Sequence, residues 1–533
     1  MLLPTLLNLL EGWRAAFSQS RSHRRAVAQA LGTLASFGRR TLSRAICALG
    51  RQQQDWSADY RLYARADWKP SRLFQPILEK ALPFCGGRYV IAAVDDTRLH
   101  KTGRHIQSAF YQRDPLSPKF RFNLMFGLRF LQISLLVPLY RKDKASARAL
   151  PVRFEEVPAL KHPRRSAPAE EWAAYRRAVK TNNLSTHAVR IIADLRADLD
   201  AAGQPRKQLL IVGDGSFCNR TLFRPAIQRT QIIARARCDV KLCRRAVQGT
   251  GRFYDPLKFT PEQIRQQAAV VWRKARIFHG GQWRKVRYKE VRDIYWQSVA
   301  GQRPLRLFVV APIPYQAPGR KRKYYRRPGF LLATDLQGTA RELLQAYFDR
   351  WQIEVNHREE KDTLGVGQAQ VRSALSVPRQ PALAVAAYSA LLLAALLAFG
   401  PGRGSHHPPL PKWRRNADRP SCLDLITLLR KEIADNPALL ATLGLKIGWK
   451  SLGLAAAVSA PTPAEARVFI GFGFGFPIGF PFYYPPYPYY PPPAYYPPPP
   501  YDLGPASYPA PGTPSQPSAG YAPSGLAGSP SIT

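Results

Sequence analysis

The order of apolar segments predicts an α/β fold, on three observations. A continuous apolar run at residues 89–94 (YVIAAV) ends on Asp95, Asp96 and Thr97, the pattern of a strand buried on both faces. A helical stretch at residues 169–202 follows. A second buried run at 208–212 (QLLIV) then ends on Gly213, Asp214 and Gly215. Strand, helix and strand, with acids closing both strands, is the order of an α/β core that carries its site at strand ends.

The remaining elements follow in chain order. Residues 1–75 read as helical and basic, with apolar positions recurring between Arg24, Arg25, Arg39, Arg40 and Arg44. They fit either a small DNA-binding module or a plain amphipathic helical pair. The first residues have no early basic region and no small-residue cleavage site, so no signal peptide is expected. Residues 85–219 form the first part of the core, with further strands expected at 120–130 and 131–140. Residues 220–335 hold several strand-like, cation-rich pieces and read as a β-rich insertion. Within it, residues 321–327 (KRKYYRR) mix cations with aromatics, which suits a nucleic-acid surface or a solvated hairpin.

Residues 336–400 return to the core. Their last part, 382–399, carries no charge but is alanine-rich, follows Pro381 and has no second span to pair with. A buried core helix is therefore expected in place of a membrane span. Residues 401–450 are a basic C-terminal region, in which His406 and His407 precede PPLPKWRR and read as part of a loop. Residues 451–533 form a Pro/Tyr/Gly-rich low-complexity tail, expected to be disordered or locally polyproline II.

The chain has 533 residues and a formal net charge of +44, so a large polyanion is the expected partner. The positive charge is confined to the first 450 residues, since Arg467 is the sole cation beyond Lys450. Six scattered cysteines lack the paired spacing of a zinc site and read as reduced thiols of a cytosolic protein.

Between 347 and 361 the chain reads YFDRWQIEVNHREEK. At about 100° per residue, Arg350, Glu354 and Lys361 fall at roughly 300°, 340° and 320° from Tyr347, on one helical stripe. A solvated face with Arg–Glu and Glu–Lys pairs would explain it, and so would a wall that holds a metal ion beside a phosphate. The aspartates ending the two strands and the strong basicity favour the second. His357 is expected at the surface.

These residues resemble the DDE transposases of bacterial insertion sequences, in the branch with a Y-x2-R-x3-E-x6-K signature. Tyr347, Arg350, Glu354 and Lys361 match its four positions without a gap, the first acid lies in DDTRLHKTG and the second in GDGSF. The resemblance spans roughly residues 20–445. It implies a ribonuclease H-like catalytic core interrupted by the β-rich insertion, and Asp96, Asp214 and Glu354 as catalytic acids holding two Mg2+ ions, with Mn2+ able to substitute. Asp95 and Asp96 compete for the first place. The family's acid lies directly before the Thr, which selects Asp96, and continued strand alternation would turn Asp95 to the opposite face. Tyr347, Arg350 and Lys361 would grip phosphates, and Trp296 or Trp283 could stack a flipped base. Arg237 and Asp239 either support the site or pair with other groups. The implied partners are transposon-end and target DNA and a second copy in a homodimer, in the bacterial cytoplasm at the nucleoid, with no membrane. A nuclease that does not join strands, or an inactive DNA-binding derivative, would carry the same motifs.

Overall fold

The structure is a computed structural model that describes residues 1–441, apart from 115–116, 118–119, 121–122, 140–146, 317–322, 402–406 and 411–419. The low-complexity tail, His406 and residues 321–322 of the KRKYYRR segment lie outside the described residues. The chain divides into one compact unit of Met1–Tyr315 with Tyr324–Val468 and a second of Gln316–Lys323 with Phe469–Thr533. Every element discussed below belongs to the first.

The fold is mixed α/β around a ten-stranded mixed sheet. In chain order its strands are β1 (Tyr89–His100), β2 (Phe110–Arg113), β3 (Leu124–Val137), β4 (Arg148–Glu156), β5 (Gln208–Gly213), β6 (Thr230–Arg235), β7 (Arg273–His279), β8 (Gln282–Ile294), β9 (Leu305–Val310) and β10 (Gly329–Ala333). Their order across the sheet is β2-β3-β1-β5-β6-β10-β9-β8-β7, with β4 also on β3. Strands β1, β5 and β6 are parallel. Strand β3 runs antiparallel to β1, and its other edge is shared by β2 and β4.

Three expectations differ from this arrangement. Strand β3 is one continuous strand where two were expected, because nothing between Phe130 and Leu131 interrupts its pairing with β1. Strand β1 does not stop at its acids but runs on to His100 beside β3. Most strands of the segment 220–335 are not a separate β body: β6 is a strand of the core, and β10, β9, β8 and β7 continue the same sheet in antiparallel pairing, while Leu242–Arg245 and Tyr254–Phe259 pair in a small sheet of their own. Local sequence reveals strands, but partner choice is made by contacts far apart in the chain.

Helix Ser376–Phe399 packs against β4 and the N-terminal helices Leu2–Glu11, Ser20–Ala35 and Pro70–Ala81. It is the one helix among the described residues long and apolar enough to cross a membrane, yet 89% of its apolar window is buried inside the protein. Among the N-terminal cations singled out above, Arg40 is buried and donates to the Thr33 and Leu34 carbonyls, and Arg25 faces the buried Asp59 at 3.8 Å. Arg24, Arg39 and Arg44 are exposed.

The stripe lies on a helix built in three pieces. Thr339 caps Ala340–Asp349 in a capping box with Glu342. Arg350 keeps helical angles (φ −49°, ψ −33°) and leads into Trp351–Arg358, which passes into a π-helical turn over Glu359–Thr363. Ile353 seats this helix against Ala93, Leu136 and Ala149. Below it Asn356 donates to the Ala149 carbonyl (3.1 Å) and the Tyr388 hydroxyl (2.9 Å), and accepts from the Ser134 hydroxyl (2.9 Å). Asn356, Ser134 and Tyr388 are all buried, so removing the amide takes three hydrogen bonds out of a covered network. Asn356→Ala should lower unfolding free energy by about 1–3 kcal/mol, read from chemical denaturation; an unchanged midpoint would mean that the network does not hold the helix.

Candidate active site

Parallel pairing of β1 with β5 ends at Ala93 opposite Val212. Asp95 and Asp214 each lie two residues further on, so the sheet brings the two acids to one level. Glu354 and Arg350 arrive from the helix seated over the same face. The Arg350 guanidinium lies 3.5 Å from Asp95 Oδ2 and 3.4 Å from Glu354 Oε1. Its side chain and that of Asp95 are largely covered, whereas Glu354 is 38% exposed, which leaves the group open to solvent on one side.

The first acid of this group is Asp95 and not the expected Asp96. Asp96 points to the other face of β1, where its Oδ2 accepts from Arg129 Nε at 2.8 Å. The physical reason is strand alternation: β1 continues through both aspartates, so neighbouring side chains leave opposite faces. Asp95 shares its face with Ala93, against which Ile353 of the helix packs.

Asp214 follows β5 and caps the short turn Gly215–Phe217, its Oδ1 accepting from the Ser216 N–H at 2.8 Å. Phe217 is fully buried, and a Cβ at Gly213 would meet it at 2.8 Å, so the tight GDGSF turn depends on glycine there. The Asp214 charge is felt by Asp95, Tyr347 and Arg350.

Electrostatics bind these groups together. Burial, and then the neighbouring Glu354, push the Asp95 carboxyl well above the usual range, with Arg350 opposing. Burial works against the Arg350 charge, but Tyr347, Asp95, Glu354 and Asp214 together outweigh it and raise its pKa. Burial raises the Tyr347 hydroxyl, with Arg350 and the exposed Arg235 at the end of β6 opposing. Lys361 lies in the π-turn; burial lowers its pKa, while Glu360, Asp362 and Glu354 pull the other way. The segment after the turn is tied down by Lys101, which is buried and donates to the Gly367 and Ala369 carbonyls at 2.7 Å each. Gly367 has φ +98°, a conformation that favours glycine.

His357, expected at the surface, is buried one helical turn beyond Glu354. Ligand atoms of Asp95, Glu354 and His357 all lie within 4.8 Å of one another, a group able to hold a metal ion. Two carboxylates give it hard oxygen donors of the kind divalent cations take. Arg237 and Asp239 pair with each other at 2.6 Å on the surface. Trp283 meets Phe278 edge to face and carries the guanidinium groups of Arg276 and Arg341 over its ring, and Trp296 packs against the main core. Sequence reasoning missed His357 and Arg235 as members of this neighbourhood. The i, i+3 spacing from Glu354 was the available signal for the first, and none existed for the second.

No protein-family model matches the chain, and no curated protein matches it.

Two outcomes follow from this geometry. In thermal titration with a divalent cation the unsubstituted protein should be stabilised, by about 2.7 kcal/mol at a hundredfold excess over Kd. Asp95→Asn should lose that gain and Asp96→Asn keep it; the reverse would return the first acid to Asp96. The second concerns Glu360, which burial raises from 4.5 to about 8. The native state then holds a proton that the unfolded chain releases, so stability falls as pH rises from about 4.5 through about 8. Glu360→Gln should flatten the loss of Tm between pH 5 and pH 8 seen in the unsubstituted protein; an unaltered slope would refute the assignment.

Proposed function

We propose that the chain is a DDE-type DNA transposase with a ribonuclease H-like core, which cleaves at the terminal inverted repeats of its mobile element and joins the freed 3′-hydroxyls to target DNA. The observation that carries this reading is the meeting of Asp95 and Glu354 across Arg350. These acids lie 259 positions apart in the sequence's numbering (354 − 95), so the fold and not local pairing assembles them. Adjacent parallel strands whose mutual pairing stops two residues before Asp95 and Asp214, with a helix alongside that brings Glu354 to Asp95, support the family resemblance.

Asp95, Glu354 and Asp214 would hold two Mg2+ ions, with Mn2+ able to substitute. When bound, such ions activate an attacking water or 3′-hydroxyl and stabilise the leaving oxygen in displacement at phosphorus. Arg350 and Lys361 offer charged donors, and Tyr347 a hydroxyl, to the phosphates flanking the cleaved bond. The net charge of +44 supplies the salt-dependent attraction to the DNA backbone. Two ends must be held together for joining, which calls for a homodimer working at the nucleoid in the cytoplasm.

The test is Mg2+-dependent nicking of DNA that carries the inverted repeats flanking the coding region. Glu354→Ala and Asp95→Asn should each slow it by about a thousandfold, the several kcal/mol that metal-assisted charge stabilisation supplies, with DNA binding retained in a gel-shift assay. An undiminished rate in Glu354→Ala would sink the site. Nicking with no joining of precut ends would identify a nuclease, and binding with no nicking an inactive derivative.

A further inference from the structure

His357 is the group in this site that the reading above does not use. It follows Glu354 by three residues on the same helix, so both side chains leave one face. Its ring is 8% exposed, and its Nε2 is buried with no hydrogen-bond partner. A buried polar nitrogen left unpaired is unfavourable unless something else satisfies it. The group within reach is the carboxylate pair, since ligand atoms of His357, Asp95 and Glu354 lie within 4.8 Å of one another. Glu-x-x-His is also the spacing at which helices of carboxylate-bridged metal proteins present an oxygen and a nitrogen to one ion.

We propose that His357 is a third ligand of the metal site, giving it two carboxylates and one imidazole. This rests on the metal-dependent reading of the site and specifies its donor set. The charges facing the ring agree. Asp95 and Glu354 set two carboxylates against the ring, with Arg350 and Lys361 the cations in its field. An imidazole adds little for Mg2+, which prefers oxygen and water, and adds affinity for Mn2+, Fe2+ and Co2+. The site should therefore prefer these ions to Mg2+ by more than a pair of carboxylates would.

The deciding experiment is pulsed electron paramagnetic resonance on the full chain loaded with Mn2+, read for coupling to a directly bound nitrogen-14. Coupling in the unsubstituted protein that disappears in His357→Gln supports the proposal. Calorimetry should then show Co2+ affinity falling at least about tenfold in His357→Gln, the loss already usual for an outer-shell partner, with Mg2+ affinity little changed. Bound Mn2+ without nitrogen coupling would overturn this proposal and leave the carboxylate site standing. The spectrum of the unsubstituted protein decides this even if the variant does not fold. Failure of any divalent ion to bind would overturn the metal-dependent reading of the site as well.

Discussion

The arrangement depends on one cation. Asp95 and Glu354 bring carboxylates close together in a partly covered place, and Arg350 lies between them. At an effective dielectric near 20, like charges about 4 Å apart repel by about 4 kcal/mol, a large share of the 5–15 kcal/mol that typically holds a domain folded. The guanidinium offsets that repulsion. It can do so only because the helix carrying it is fixed on both sides: Ile353 fills the apolar contact with β1, β3 and β4, and Asn356 hydrogen-bonds to the backbone of β4 and to Tyr388. Apolar packing thus fixes where the charges meet, and the charges then set one another's protonation.

Much of this is legible in the sequence, and the failures have physical causes. Strand β5 and its closing Asp214 stand out because a short, branched apolar run bounded by glycine is too brief for a buried helix and suits a central strand. Strand β1 is equally visible, but it is buried on both faces through Val94, so its residues show no alternation from which to tell the side of Asp95 from that of Asp96. Only the partner strands and the helix distinguish the faces. The helical stripe holds as far as Glu354. Beyond it, the change from α to π geometry at Glu359 invalidates a constant rotation per residue, and the charged run at 359–362 (EEKD) gives no local sign of it. His357 reads as exposed because a histidine among charged residues looks solvated, while the fold lays β1 against that side of the helix.

The charge count needs a similar correction. A net charge of +44 suggests a surface made for a polyanion, yet several cations are interior struts. Arg153, Arg306, Lys101 and Lys289 are fully or almost fully buried. Lys101 and Lys289 donate to backbone carbonyls, Arg306 bridges Glu290 and the Gly338 carbonyl, and Arg153 pairs with Asp198. Arg430 reaches from helix Cys422–Asp435 to the Ala35 and Ser36 carbonyls. Such groups satisfy carbonyls that would otherwise be stranded, and they contribute only distant field to a bound phosphate. The cations that could touch DNA are a subset, set by exposure and not by abundance.

The π-turn joins these themes. It follows directly on the helix that carries Glu354 and His357, and its own residues divide between two environments: Glu360 is buried beside Gln132 of β3, while Lys361 is only partly covered and lies in the field of Glu354. A plain α-helix would stack Lys361 nearly in line with Glu354, seven residues on. The π-turn breaks that regular spacing, and Lys101 holds the next segment through two carbonyls. The result separates the charges by function, with Arg350 between the carboxylates and Lys361 beside them. A site built this way can neutralise its acids without filling the approach to Glu354, whose side chain is 38% exposed.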